Sequence, residues 1–119
     1  MKRNFKFFIE DMIEAIDDIE EFIAGMDFPE FYRDNKTRSA VVWKVETIGE
    51  AAKKTPKEIK EKYRDIPWKD MTGIRDKIAH FYFGIDYEIV WEVIKKRLPE
   101  IKLGIKQILE DIEQKPEKK

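Results

Sequence analysis

The sequence has no cysteine, which excludes disulfide bonds and thiolate metal sites. It has a single histidine, His80, and no Glu-x-x-His pair, so a metal-dependent helical enzyme would have to rely on carboxylates and is disfavoured. Charge of one sign is not in excess, because 24 Lys and Arg residues balance 25 Asp and Glu residues. Any binding of nucleic acid therefore needs a local basic patch rather than the net charge.

Long hydrophobic runs are also missing. The first residues, MKRNFKFFIEDMIE, carry charges on both sides of an apolar run that is too brief for a signal peptide or a membrane span. The sequence therefore predicts a cytoplasmic protein that does not associate with membranes. Its 119 residues, of which 42% are hydrophobic, are enough for one domain with one core. We expect that domain at residues 1–115, followed by a frayed tail at 116–119.

The pattern of apolar residues is helical almost throughout. Apolar side chains recur at steps of three and four, whereas sustained alternation and hairpin dipeptides, which indicate strands, are not found. Caps and breakers predict six helical segments: Asn4 to Gly25, a short one near Pro29, 36–54 capped by Asn35, Pro56 to Tyr63, Pro67 to Gly84, and Asp86 to about Ile112 with an interruption near Pro99. The predicted fold is all-α, an antiparallel up-and-down bundle of about four main helices plus short ones.

The stretch RDKIAHFY, residues 75–82, contains the only histidine and lies in the predicted helix that ends at Gly84. A helical wheel separates two stripes there. One stripe should face the core and consists of Met71, Ile74, Ile78 and Phe81. The other consists of Asp76, Ala79, His80 and Phe83. A helix with two semi-apolar sides is usually covered on both, either by its own chain or by a second subunit.

The same spacing suggests chemistry. On a helix, Asp76 would stand one turn before His80 and could support its protonated form. Arg75 could bind a phosphate, while His80 could move protons near neutral pH, which suits attack on a phosphodiester. Spacing leaves plainer alternatives open. Arg75 could pair with a Glu on a neighbouring helix, His80 could be a satisfied core residue, and Tyr82 could be an aromatic at the edge of the core.

Arg75, His80 and Tyr82 resemble the signature of HEPN domains, specifically the HepT-like branch. That signature is an Arg followed by a polar residue, here Asp76, then a His after four intervening positions and a Tyr two positions later. The resemblance extends to TIGEAAKK (47–54), to IPWKDMTGIRD (66–76) and to FGIDYEIVWEVIKKRLPEI (83–101), in the order of the family. It therefore covers most of the chain.

The resemblance implies a homodimer whose two motifs line a cleft, and a metal-independent endoribonuclease without a cofactor. It implies the toxin of a toxin–antitoxin pair, with a nucleotidyltransferase of the MNT type as the antitoxin partner. Arg75 and His80 would then be catalytic, and Asp76 would orient His80. Tyr82 would contact RNA and would be the site at which the antitoxin adds AMP.

Several expectations accompany this reading. A two-fold dimer would place two His80 side chains in one cleft, one as general base and one as general acid. Gly49 should allow two helices to approach closely, and Glu50 could be either a buried partner of Arg75 or a surface charge. Basic residues such as Lys36, Arg38 and Lys77 could steer RNA, although a solvated surface is the commoner use of such charges. The competing function is a helical dimer that binds a nucleotide or docks a nucleotidyltransferase without cutting RNA.

Overall fold

The computed structural model describes residues 5–80 and 84–114, except for the side chain of His80. The elements, in chain order, are helices α1 (Phe5–Phe22), α2 (Phe28–Arg33), α3 (Asn35–Lys54), α4 (Lys57–Lys62), α5 (Trp68–Thr72) and α6 (Ile74–Ile78), strands β1 (Ala79–His80) and β2 (Gly84–Ile85), helix α7 (Tyr87–Glu92), a π-helical segment (Val93–Arg97) and helix α8 (Leu98–Gln114). The predicted cap at Asn4 and the predicted frayed tail lie outside the described residues.

The core is a bundle in which α1 packs against α3 and α8. The helices bury one apolar stripe each, because an amphipathic helix is stabilised mainly by covering that stripe. The fully buried side chains on α1, α3 and α8 include Ile9, Met12, Ile16, Val41, Val45, Ile48, Ile105 and Ile108. These positions follow the three- and four-residue steps of the sequence. The predicted all-α bundle is confirmed.

The ends of the short helices follow from local capping. Asp27 begins α2 with a capping box, in which its carboxylate accepts from the backbone N–H of Glu30 and the Glu30 side chain accepts from the N–H of Asp27. Helix α3 begins one residue earlier than predicted, because Asp34 rather than Asn35 is the cap and accepts from the N–H of Thr37. Adjacent Asp and Asn are nearly equal as caps, so sequence alone could not separate them.

The last helical segment is continuous across Pro99, although its geometry changes just before that residue. Proline has no N–H, and its ring crowds the carbonyl one turn earlier in an ideal α-helix. The π-helical segment that ends at Arg97 widens the turn immediately before Pro99. The predicted interruption is therefore a local change of helical pitch, and the chain continues as α8.

The predicted helix from Pro67 to Gly84 is wrong in its second half. The chain forms α5, bends at Gly73, forms α6 and then leaves the helix at Ala79. Residues Ala79 and His80 pair antiparallel with Ile85 and Gly84. Strands were not expected anywhere, so this two-stranded hairpin is the clearest departure from the prediction.

Long-range contacts explain why the helix stops. The backbone N–H of Asp86 donates to the carbonyl of Ile78 at 2.7 Å, which brings the two ends of the segment together. A continuous helix would hold residues 78 and 86 about 12 Å apart along its axis. Asp86 also caps α7 by accepting from the N–H groups of Glu88 and Ile89, as its predicted role as a cap requires. The start of α7 and the chain reversal before it therefore end the helix earlier than the spacing of apolar residues predicts.

A partly buried hydrogen bond joins the segment after α4 to α8. The Tyr63 hydroxyl donates to Asp111 Oδ2 at 2.6 Å, and burial together with this bond raises the pKa of Tyr63 from 10.0 to about 12. Because the folded pKa is the higher one, the stabilisation is complete below pH 10 and is lost as the pH rises towards 12.

We therefore expect Tyr63→Phe to lower the free energy of unfolding by about 1.5–3 kcal/mol at pH 7, the usual worth of a hydrogen bond to a charged group. The difference from wild type should shrink at pH 11, as measured by urea unfolding at both pH values. Tyr32→Phe, at an exposed tyrosine, is the control and should change neither value. A difference that is the same at pH 7 and pH 11 would contradict the assignment.

Candidate active site

Gly49 brings α3 into close contact with the junction of α5 and α6. A Cβ added to Gly49 would lie 3.1 Å from the carbonyl oxygen of Met71 and 3.2 Å from Cγ2 of Ile74. These distances are tighter than ordinary van der Waals contact, so only glycine fits without movement of the neighbouring chain. The expected close approach at Gly49 is confirmed. Because Ile74 precedes Arg75, this contact also fixes where Arg75 leaves the bundle.

Arg75 stands on α6 with most of its side chain in solvent. Its side chain is 75% exposed, and its Nε lies 3.8 Å from a carboxylate oxygen of Glu46 on α3. The predicted alternative of an ion pair with a Glu on a neighbouring helix is therefore confirmed. The pair is long and largely solvated, and in the described part of the chain no hydrogen bond to the two terminal nitrogens of Arg75 is found. Those nitrogens can bind an anion such as a phosphodiester.

The carboxylate beside Arg75 belongs to Glu46 and not to Glu50. Glu50 is exposed, and its carboxylate lies 3.9 Å from Lys53 Nζ on the same helix. Of the two alternatives for Glu50, the structure therefore shows the surface charge. Glu46 lies one turn before Glu50 on the same side of α3, so the sequence makes both of them candidate partners of Arg75. The point at which the helices cross, at Gly49, decides that Glu46 is the partner, and the sequence does not reveal that point.

The hairpin changes the relation between Asp76 and His80. Asp76 is exposed on α6, and His80 lies in β1, opposite Gly84. The argument that the two residues stand one helical turn apart is wrong, because the helix ends at Ile78. For the same reason Ala79 and His80 do not form a helical stripe. A role for Asp76 beside His80 stays a prediction without that geometric support.

The core stripe of the same segment is as predicted for three of its four members. Met71, Ile74 and Ile78 are buried. Phe81, the fourth member, lies outside the described residues, as do Tyr82 and Phe83. The described geometry of the candidate site therefore consists of Arg75, Glu46, Asp76 and the backbone of the hairpin at His80.

The hairpin follows directly on the helix that carries Arg75. Arg75 and His80 lie on either side of the point where the chain changes from helix to strand. The hydrogen bond from Asp86 to the carbonyl of Ile78 closes the base of the hairpin. A phosphate bound at Arg75 would thus lie beside the end of α6 and the paired strands that follow it.

Two further observations concern the described side chains and helices. Among the side chains that the structure describes, no three His, Cys, Asp or Glu residues are grouped closely enough to hold a metal ion. In residues 5–80 and 84–114, no helix combines the length and the apolar character needed to cross a bilayer.

Gly49→Ala should affect both stability and activity. Overpacking at this contact costs about 1–3 kcal/mol, and helix propensity offsets about 1 kcal/mol of that, so the net loss should reach about 2 kcal/mol at most. Because Arg75 would be displaced with Ile74, any phosphodiester cleavage should fall by about tenfold even where the variant is fully folded. Thermal unfolding and cleavage rates check the two effects.

The matched control is Gly104→Ala on α8. A Cβ there would lie 2.7 Å from Cγ1 of Ile66, so it also disturbs packing, but it meets a side chain rather than the backbone of α5. We expect Gly104→Ala to lower stability while the folded protein keeps its activity. An equal loss of activity in both variants would contradict a positioning role for Gly49.

Comparisons with known proteins agree with the motif. The family model described as Ribonuclease HepT-like matches residues 12–108. A candidate RNase of Methanocaldococcus jannaschii is 48% identical, over 98% of this chain and 96% of its own length. A protein of Thermococcus cleftensis named as a probable ribonuclease HepT is 43% identical, over 86% of this chain and 93% of its own length. No solved structure matches the chain significantly. The chain therefore belongs to the HepT-like family of ribonucleases.

Proposed function

We propose that this protein is a metal-independent endoribonuclease that acts as the toxin of a toxin–antitoxin module. The observation that supports the proposal is the exposed Arg75, beside Glu46, on the helix that leads into the hairpin with the only histidine of the sequence. Family membership supports RNA as the substrate. The cytoplasm, where RNA and a partner protein are both present, is the proposed location.

The proposed reaction is attack by the ribose 2′-OH on the adjacent phosphorus. A general base removes the 2′ proton, the new P–O2′ bond forms, and the P–O5′ bond breaks as a general acid protonates the leaving oxygen. The products are a 2′,3′-cyclic phosphate and a 5′-OH end. Arg75 stabilises the extra negative charge of the phosphorane with its free guanidinium donors. His80 supplies the proton transfers, because a neutral imidazole can accept a proton and an imidazolium can donate one.

The proposed protein is a homodimer, because the reaction needs two proton transfers and each chain has only one histidine. Two His80 side chains in one cleft would divide the work of base and acid. Asp76 would orient the imidazole through a contact other than a helical turn. Tyr82 would contact RNA, and its modification with AMP by an MNT-type nucleotidyltransferase would add negative charge that repels the substrate. That modification would make the nucleotidyltransferase the antitoxin.

The test is cleavage of total RNA by purified protein in excess EDTA, with analysis of the product ends. Wild type and Tyr82→Phe should cleave and leave cyclic phosphate and 5′-OH ends, whereas His80→Ala should not cleave. Cleavage that EDTA abolishes, or products with 5′-phosphate ends, would contradict the mechanism. If unmodified wild type cleaves no RNA but binds a nucleotidyltransferase, the protein is the alternative considered above, a helical dimer that docks a nucleotidyltransferase without cutting RNA.

A further inference from the structure

We infer that Tyr32, Arg38 and Tyr87, here called the tyrosine–arginine cluster, bind the RNA strand next to the cleavage site. In this inference, which rests on the proposed function, one unpaired base stacks on Tyr32 and a backbone phosphate binds Arg38. The cluster would hold single-stranded RNA without reading its sequence through base edges. It lies apart from the signature motif in the sequence, on α2, α3 and α7.

The three side chains contact one another directly. The Arg38 guanidinium carbon lies 5.2 Å from the centre of the Tyr32 ring and 4.7 Å from that of the Tyr87 ring. The two rings meet edge to face at 6.2 Å. A guanidinium that stacks on aromatic rings still has in-plane N–H donors, and its two terminal nitrogens can bind a phosphate. Aromatic and cationic groups combined in this way are typical of sites for single-stranded nucleic acid.

Arg38 also lacks the partner that would explain it as a structural residue. Its Nη2 donates to the side-chain oxygen of Asn35 at 3.1 Å, which is a neutral partner. In the described part of the chain, its Nε is buried without a hydrogen-bond partner, and no carboxylate forms an ion pair with this guanidinium. Such a partly desolvated cation without a counter-charge gains more from a phosphate than an ordinary surface arginine does.

Tyr32 is the exposed tyrosine of the cluster, and a base can reach its ring. Its residue is 51% exposed although its ring is backed by Phe28 at 5.7 Å between centres. Phe28 in turn contacts Trp91 on α7, and Lys95 lies 5.4 Å from the Trp91 ring. The base would therefore stack on a ring held from behind by the core. Lys95 adds a second cation at the far side of the aromatic group.

The cluster is close to the proposed catalytic residues along two elements. Tyr87 follows Gly84, the partner of His80 in the hairpin, by three residues, a reach of at most roughly 10 Å. On α3, Arg38 precedes Glu46 by eight residues, or about 12 Å along the helix. A strand whose scissile phosphate is bound at Arg75 could thus reach Arg38 with a phosphate further along the strand.

The test is binding of a fluorescent 2′-deoxy oligonucleotide, which lacks the attacking hydroxyl and is not cut. We expect Tyr32→Leu to weaken binding by about five- to a hundredfold. Arg38→Gln should weaken binding by about tenfold and reduce the dependence of log K on log salt concentration by about 0.7, the value for one phosphate contact on a single strand. Tyr32→Phe keeps the ring, and Arg64→Ala removes an exposed arginine elsewhere, so both should bind like wild type. Unchanged binding by Tyr32→Leu and Arg38→Gln would overturn the inference.

A second measurement on wild type does not depend on the stability of any variant. An oligonucleotide that carries a photoreactive thio-base should crosslink to a peptide from α2 or from the first turn of α7. Crosslinks confined to other elements, or the absence of any binding, would overturn the inference. This outcome can be distinguished from failure of the proposed function. If the variants bind weakly but wild type cuts no RNA, the inference about the cluster is supported and the proposed endoribonuclease activity is contradicted. If wild type cuts RNA and the variants bind and cut as well as wild type, only the inference about the cluster is contradicted.

Discussion

Arg75→Ala should reduce RNA cleavage by about a hundred- to a thousandfold, the usual cost of removing one group that stabilises transition-state charge. Thermal stability should stay within experimental error of wild type. The side chain is 75% exposed and its pair with Glu46 is solvated, so little folding energy depends on it. This combination of a large loss of activity with unchanged stability distinguishes a catalytic role from a structural one.

Two further variants separate the charge of Arg75 from its geometry. Arg75→Lys keeps the positive charge but loses the planar set of donors that can bind two phosphate oxygens, so activity should recover only in part. Glu46→Gln removes the partner at 3.8 Å and leaves the guanidinium intact. Because an exposed pair is worth at most about 1 kcal/mol, this change should lower cleavage by no more than about fivefold.

Arg64→Ala is the control, since Arg64 is also exposed and lies between α4 and α5, outside the motif. It should leave the rate of cleavage unchanged. Full activity in Arg75→Ala would remove Arg75 from the mechanism. A loss of activity that is equal in Arg75→Ala and Arg64→Ala would indicate only that positive charge attracts RNA.

The parts of the fold that depend on local sequence were predictable. Apolar residues at steps of three and four identify the buried stripes of α1 and α3, because a helix must cover its apolar face. The capping residues Asp27 and Asp86 mark the starts of α2 and α7. The choice of Arg75 as a candidate residue followed from its position in the motif, and the structure leaves its side chain exposed.

The parts that depend on contacts between distant residues were not predictable from periodicity. The helix through His80 fails because Asp86 bonds back to Ile78, and a helical wheel contains no information about such a reversal. Glu46 was missed because the crossing point of α3 and α6 decides which of two acidic residues meets Arg75. A sequence signal for the hairpin does exist: FYFGI, residues 81–85, is rich in aromatic residues and contains glycine, both of which favour a strand and a turn over a helix.

His80→Ala in only one subunit of the proposed dimer should lower cleavage far below half of the wild-type rate, by about a hundredfold. If one cleft uses one His80 as base and the other as acid, removing either one interrupts the reaction. Independent sites would instead leave half of the activity, because the unaltered subunit would work alone. The comparison therefore tests whether the single histidine in the sequence serves twice.

The experiment requires wild-type and His80→Ala chains with different affinity tags, co-expressed and purified through both tags in sequence. The matched control is a dimer of two wild-type chains with the same two tags, which should be fully active. Sedimentation equilibrium must show a dimer under the conditions of the assay, and a fully active monomer would contradict the shared site at once. Full activity of the mixed dimer would also contradict it, because one imidazole would then be enough for both proton transfers. A rate near half would keep His80 as a catalytic residue but would give each subunit its own site, and the second proton would have to come from Tyr82, Asp76 or water.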